Sequence, residues 1–151
     1  MPRRQQGFTL IELILVIVML GVLSAFALPR FVDLGRDARI ASVQGAAASI
    51  RSAAAIGHAA WLAQGGNQNF FVFEGITVVM ANAGYPQAPN PGILAAAAID
   101  ASNYQISRAG PSAPTVKILP LGVATSANCY VSYNMSNSGT SPSITVQTGS
   151  C

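Results

Sequence analysis

Charge and reactive side chains are scarce in this sequence, and each shortage excludes a class of function. Charged residues make up 9% of the 151 positions, with five acids, one histidine and two cysteines among them. His58 is the only histidine and lies in a stretch of helical pattern. A solvated or packed ring is expected there rather than a general base. Cys129 and Cys151 lack a CxxC spacing and neighbouring histidines, which argues against a metal pair or redox thiol. The acids are Glu12, Asp33, Asp37, Glu74 and Asp100. Only the last two fall after Gly66, too few for a calcium ion, which takes six to eight oxygens with several carboxylates. Gly65-Gly66 closes a helical pattern and lacks the Lys-Ser/Thr that follows a phosphate loop. No catalytic residue, cofactor or metal ligand is expected, and no enzyme. The formal charge of +3 suggests a polyanion partner, but Arg3 and Arg4 precede the first apolar segment. Without them the balance is near neutral and no basic stripe remains, so nucleic-acid binding by the isolated chain is not expected.

Apolar sequence, by contrast, is abundant. Hydrophobic residues make up 51% of a chain with room for one domain, a balance that fits a membrane-attached or densely assembled protein. The longest run opens at Gly7-Phe8-Thr9-Leu10-Ile11-Glu12-Leu13 and continues through Leu28. About 20 apolar residues in a helix are long enough to cross a bilayer's hydrocarbon core. Glu12 alone interrupts it, and an acid at that depth calls for a specific positive partner rather than lipid. Cutting the chain after Gly7 would supply one, since Phe8 would then carry an α-ammonium group able to neutralise Glu12 in its own chain or a neighbour's. The arginines before the run place that end in the cytoplasm and the remainder outside. A rival reading takes Ala25-Phe26-Ala27 as an ordinary secretory cleavage site that would release a soluble binding domain. Against it stand Glu12 within the run and a length beyond the roughly 7 to 15 residues of a usual signal core.

The stretch Gly7-Phe8-Thr9-Leu10-Ile11-Glu12, behind a basic leader and ahead of a long apolar run, resembles the processing motif of type IV pilins and of the pseudopilins of type II secretion. The resemblance implies cleavage after Gly7 by a prepilin peptidase, methylation of the new terminus at Phe8, and a role for Glu12 in setting subunit register during assembly. It implies the type IV pilin fold: α+β, a long N-terminal helix serving as membrane anchor and spine, packed against a C-terminal antiparallel sheet. Gly21 and Pro29 are the weak points expected in that helix, one through glycine's low propensity and one through a missing donor and a ring clash. In the pilins that this chain resembles, the stretch between two such residues can unwind in the filament.

Read in order, the chain divides into a cleaved leader (1–7), a transmembrane and filament-core half of the helix (8–28), an amphipathic spine (29–65) and a β-rich head (66–151). In the spine, Ile40, Val43, Ala47, Ile50, Ala54, Gly57 and Trp61 recur every three or four residues and mark the face to be buried. Gly65-Gly66 ends it. In the head, Phe70–Phe73 and Ile76–Met80 read as short strands about a Glu74-Gly75 turn. A short helix over Ile93 to Ala101 is expected, with Asn90 as cap and Pro91 as first residue. Val116–Leu119, Cys129–Tyr133 and Ser143–Thr148 are further strands, and Asn134 to Pro142 is a loop. Asn134-Met135-Ser136 matches the glycosylation pattern, though a plain surface loop suits it better.

Gly66-Asn67-Gln68-Asn69, Gly75-Ile76-Thr77-Val78, Gly84-Tyr85-Pro86 and the Cys129 to Cys151 arrangement are similar to the mannose-sensitive haemagglutinin type of type IV pilin. In an exported domain the two cysteines are expected to form a disulfide. The function implied is a structural subunit of an extracellular pilus used for attachment, biofilm formation or motility. Its partners would be further copies of itself, the prepilin peptidase, the assembly machinery and, before assembly, the inner membrane. The alternatives are the major pseudopilin of a type II secretion system and the domain released after Ala27.

Overall fold

No proline occurs between Pro29 and Pro86, and alanines with larger apolar residues fill that interval at helical spacing, so a single helix has little to stop it. A computed structural model describes residues 7–88, 91–108, 110, 113–135 and 140–151, and of 28–33 the backbone alone. In it α1 spans Leu10–Ala63, 54 residues. It ends at the two glycines as expected. Gly66 N–H donates to Trp61 O at 3.0 Å and Gly65 N–H to Leu62 O at 3.1 Å, the paired bonds of a Schellman motif. Gly65, at φ 90°, takes the left-handed position that lets the chain turn away while the last carbonyls stay paired. The chain forms two compact units, residues 1–37 and residues 38–151.

In the first unit the segment Leu10–Ala27 has a mean hydropathy of 2.7 and none of it is buried. α1 carries through both Gly21 and Pro29. Pro29 falls among the residues whose side chains lie outside the description.

The second unit is built on the spine. Val43, Ala46, Ala47, Ile50, Ala53 and Ala54 form one buried face of α1 and share a core with Val116, Ile118, Val131 and Tyr133. Those four residues come from an antiparallel sheet of order β3-β4-β5-β6, with β3 Tyr104–Arg108, β4 Thr115–Pro120, β5 Tyr130–Asn134 and β6 Ser143–Gln147. Its register aligns Ile106, Ile118, Val131 and Val146 in one row across all four strands. Since a one-residue slip would turn every strand over, this row and a second one of Val116, Tyr133 and Ile144 hold the register. Fully burying side chains such as Ile50 and Ile118 contributes about 1.5–3 kcal/mol each. Polar ties join helix to sheet unit: Ser49 Oγ donates to Ala97 O at 2.8 Å and Tyr104 Oη to Ser42 O at 3.4 Å.

A separate hairpin pairs β1 Phe70–Phe73 with β2 Ile76–Val79. Glu74 and Gly75 turn it with φ of 49° and 80°, the positive pair that a two-residue loop between twisted strands requires. Its inner face, Phe71 and Val78 with Met80, packs on Ala60 and Trp61 of α1. Gly57 makes this approach possible: a Cβ there would lie 2.9 Å from Pro86 Cγ and 3.4 Å from the Phe71 ring.

Two expectations are corrected. The helix expected over Ile93 to Ala101 is α2, Ile93–Ala96, whose N-cap is Gly92 rather than Asn90; Asn90 itself lies outside the described residues. The helix stops because Ala98 swings to φ 52° and Ile99 N–H closes back on Leu94 O at 2.9 Å, which carries Ile99 into the core. The cost of a left-handed alanine, about 1–2 kcal/mol, is of the same order as the gain from burying isoleucine. The second correction is β3, which the sequence reading left out. An Asx turn launches it: Asp100 Oδ1 accepts from Ser102 Oγ at 2.5 Å and Ser102 N–H at 2.8 Å. The Ser102 hydroxyl and then its N–H hold the Asp100 carboxyl below the usual carboxylate range.

Tyr133 is fully buried and donates its hydroxyl to Pro86 O at 2.6 Å, pinning the loop after β2 to the sheet. Burial, and secondarily the neighbouring Tyr85 phenol, pushes its pKa up. A raised folded value means that the stability it contributes is full below about pH 10, where a free tyrosine begins to ionise, and falls as pH rises toward the folded value. Urea midpoints measured from neutral into alkaline pH should therefore drop from about pH 10 onward. Tyr133→Phe should flatten that limb while lowering stability at neutral pH by about 1–3 kcal/mol, because the Pro86 carbonyl is left buried and unpaired.

Candidate functional site

The start of α1 is organised by Thr9 and Glu12. Thr9 precedes the first helical residue and Glu12 is the third, the spacing of a capping box. Glu12 Oε2 accepts from Thr9 N–H at 3.0 Å and from Thr9 Oγ1 at 2.7 Å, while Thr9 Oγ1 accepts from Glu12 N–H at 3.3 Å. The carboxylate thus folds back toward the chain's N-terminal side, where the helix dipole also favours negative charge. Phe8, 87% exposed, is the next residue back. Phe8, Ile11, Glu12, Leu15 and Val16 line an open cleft of about 320 Å³. Phe8 and Glu12 thereby line one cleft, and Gly7 is the residue before Phe8.

Thr9 is the residue that the sequence reading missed, although the T-x-x-E signature was present in Thr9-Leu10-Ile11-Glu12. In the uncut chain the Glu12 carboxylate is held by the neutral donors of Thr9, not by the positive partner expected of it. Replacing Thr9 by alanine should remove the cap at a cost of about 1 kcal/mol to the first turn. Amide hydrogen exchange of residues 10–13 in detergent should speed up accordingly, with later turns of α1 unchanged.

In the second unit Cys129 and Cys151 are joined by a disulfide, with Cα atoms 4.8 Å apart. Cys129 is fully buried between the preceding loop and β5. The bond encloses β5 and β6 entirely, and Ser150 N–H donates to Asn128 O at 3.1 Å beside it. Arg39 Nε on α1 donates to Cys151 O at 2.6 Å, so the far end of the enclosed segment is held to the helix. Asn134 ends β5 and Met135 is buried, while Ser136 lies outside the described residues.

His58 stacks on Tyr85 with ring centroids 4.1 Å apart and planes 3° from parallel, and its Nδ1 lies 2.9 Å from Gly84 O. That arrangement leaves the ring as a packed strut between α1 and the loop after β2. Among the described residues no cluster of three or more His, Cys, Asp or Glu side chains could hold a metal ion.

Two comparisons with known proteins bear on this geometry. Residues 2–28 match the model of the prokaryotic N-terminal methylation motif. The chain is also 58% identical over 53 residues to the type IV narrow pilus major component PilA5 of Thermus thermophilus. That alignment covers 35% of this chain and 46% of the relative, so the chain spans about half the length of the protein it matches. No solved structure matches the chain.

Proposed function

We propose that this chain is a type IV pilin, a structural subunit that polymerises into an extracellular pilus through its apolar N-terminal helix. The observation that carries the reading is the methylation motif over residues 2–28 laid on a helix whose span Leu10–Ala27 is apolar and wholly unburied within its own chain. A surface of that kind needs either lipid or other copies of itself around it. The similarity to a pilus major component supports the second as the end state and the first as the precursor.

In this reading a prepilin peptidase cuts after Gly7 and the amine of Phe8 is methylated. The precursor resides in the inner membrane, and the assembly machinery transfers it into a fibre outside the cell. Glu12 faces the Phe8 ammonium of its own or a neighbouring subunit, a charge pair that apolar surroundings make strongly dependent on correct register. Gly21 and Pro29 are where α1 would yield on assembly. The spine and sheet unit form the outer surface of the fibre, closed by the Cys129–Cys151 bond. The activity is self-association and not catalysis; the fibre would serve attachment, biofilm formation or motility.

Intact mass and terminal sequencing of the protein recovered from sheared surface fibres provide the test. The expected product begins at a methylated Phe8. A mature terminus at Leu28 would overturn the reading, because the polymerising helix would then be absent.

A further inference from the structure

Outside the apolar helix, two surface features of the 38–151 unit are unlike their surroundings and complementary to each other. The first is the β1–β2 hairpin. Its inner face is packed, but Phe70 and Val72 on its outer face are 53% and 60% exposed, and Phe73 and Ile76 at its tip are 39% and 47% exposed. Between those two apolar tip residues stands Glu74, also exposed. The second is an open groove of about 380 Å³ lined mainly by apolar groups, among them Ala55, Leu62, Tyr85 and Ile144, with the exposed Arg51 guanidinium on its wall. Among the described residues neither Glu74 nor Arg51 meets an opposite charge within 4.0 Å.

The placement of the two features rules out one copy filling its own groove. The hairpin rests on α1 at Ala60 and Trp61, beside Gly57. Arg51, Ala55, His58 and Leu62, three or four residues apart, form a different stripe of the same helix, well round from the first at about 100° per residue. A protruding apolar element tipped by an acid and an apolar recess bearing a base, at separate places on one chain, make a heterologous contact. Repeated from copy to copy, such a contact generates a ring where the rotation closes and an open helical array where it does not.

Resting on the fibre reading above, we infer that the β1–β2 hairpin of one subunit docks into the Arg51–Leu62 groove of a second copy, with Glu74 paired to Arg51 across the contact. The occupant is a second copy of this chain because the charges match one to one. Phe73 and Ile76 supply the apolar contact, and Glu74 and Arg51 select the partner and its register.

The experiment uses full-length protein in the cell that assembles it. Glu74→Arg and Arg51→Glu should each lower sheared-fibre yield about tenfold, the coupling expected of a close interfacial charge pair, with subunit levels in the membrane unchanged. The double swap, Glu74→Arg with Arg51→Glu, should restore the yield. Separately, Arg51→Lys keeps the charge and provides an amine, so a carbodiimide should join Glu74 of one subunit to position 51 of another in isolated fibres, giving a cross-linked peptide identifiable by mass. Single variants with normal yield, a double swap without rescue, or fibres lacking the cross-linked peptide would each overturn the inference. If the single variants assemble normally while Glu12→Ala does not, the docking contact fails and the pilin reading stands. Wild-type cells without fibres would remove both.

Discussion

Subunits carrying Glu12→Ala are expected to accumulate in the membrane at wild-type levels while fibre yield falls by about a hundredfold or more. Insertion does not suffer, because the substitution takes an acid out of an apolar segment. Folding of the helix start does not suffer much either. Thr9 Oγ1 still accepts from the residue 12 N–H, so half of the capping box survives. Assembly is different, because an α-ammonium at Phe8 buried among neighbouring helices would be left uncompensated, and removing one member of a buried pair is strongly destabilising. The hydrogen bonds seen here make Glu12→Gln the more discriminating companion. Glutamine's amide oxygen can accept from Thr9 as the carboxylate does, so it preserves the cap and discards only the charge. Were the residue's role confined to capping, glutamine would assemble normally and alanine poorly. The charge-pair account requires both to fail. Fibre counts by electron microscopy, set against membrane immunoblots, read the two apart.

The second large effect is expected from the disulfide. Cys129→Ser should lower the stability of the globular unit by about 3 kcal/mol in the chain-entropy model, given the 22-residue separation of the bonded pair. The position is fully buried, so the new hydroxyl adds a desolvation cost on top. Cys151→Ser should be milder than Cys129→Ser, because that site is only partly buried, yet it loses the same crosslink. Thermal melting of the detergent-solubilised chain, followed in the far ultraviolet, should show midpoints lowered by about 10 °C or more for either variant. Reductant should move the wild type to match Cys151→Ser and leave both variants unmoved. A wild-type melt insensitive to reductant would show that the core and the Arg39 tie hold the segment without the bond.

Much of this fold was legible in the sequence, and where it was not the reason is local. The spine face was readable because Val43, Ala47, Ile50 and Ala54 repeat at helical spacing, and a period carried over many turns outweighs any single residue. The Glu74-Gly75 turn and the Gly65-Gly66 stop were readable because positive φ leaves few choices of residue. β3 was missed because Tyr104-Gln105-Ile106-Ser107-Arg108 carries a single aliphatic residue, and its strand character comes from pairing with β4. α2 was overextended because Ala95 to Ala98 favour a helix that the burial of Ile99 interrupts, a tertiary effect that propensity does not contain. At the site, Gly7, Phe8 and Glu12 stood out through the motif around them. Thr9 did not, because an N-cap is ordinary sequence until its partner's second role is known. The exposed hairpin face was invisible for another reason: alternation predicts which strand residues are buried only when one face is polar, and Phe70-Phe71-Val72-Phe73 is apolar on both.

The ring of covalent structure around β5 and β6 also decides how the molecule would bear mechanical load. A chain stretched between Phe8 and Cys151 transmits tension from residue 129 straight through the sulfur bridge, so the strands between never feel it. With the bridge closed, full extension stops short by the contour of those 22 residues, about 75 Å at the span of an extended chain. Force spectroscopy on oxidised and reduced molecules would read that hidden length as a difference in their final extension.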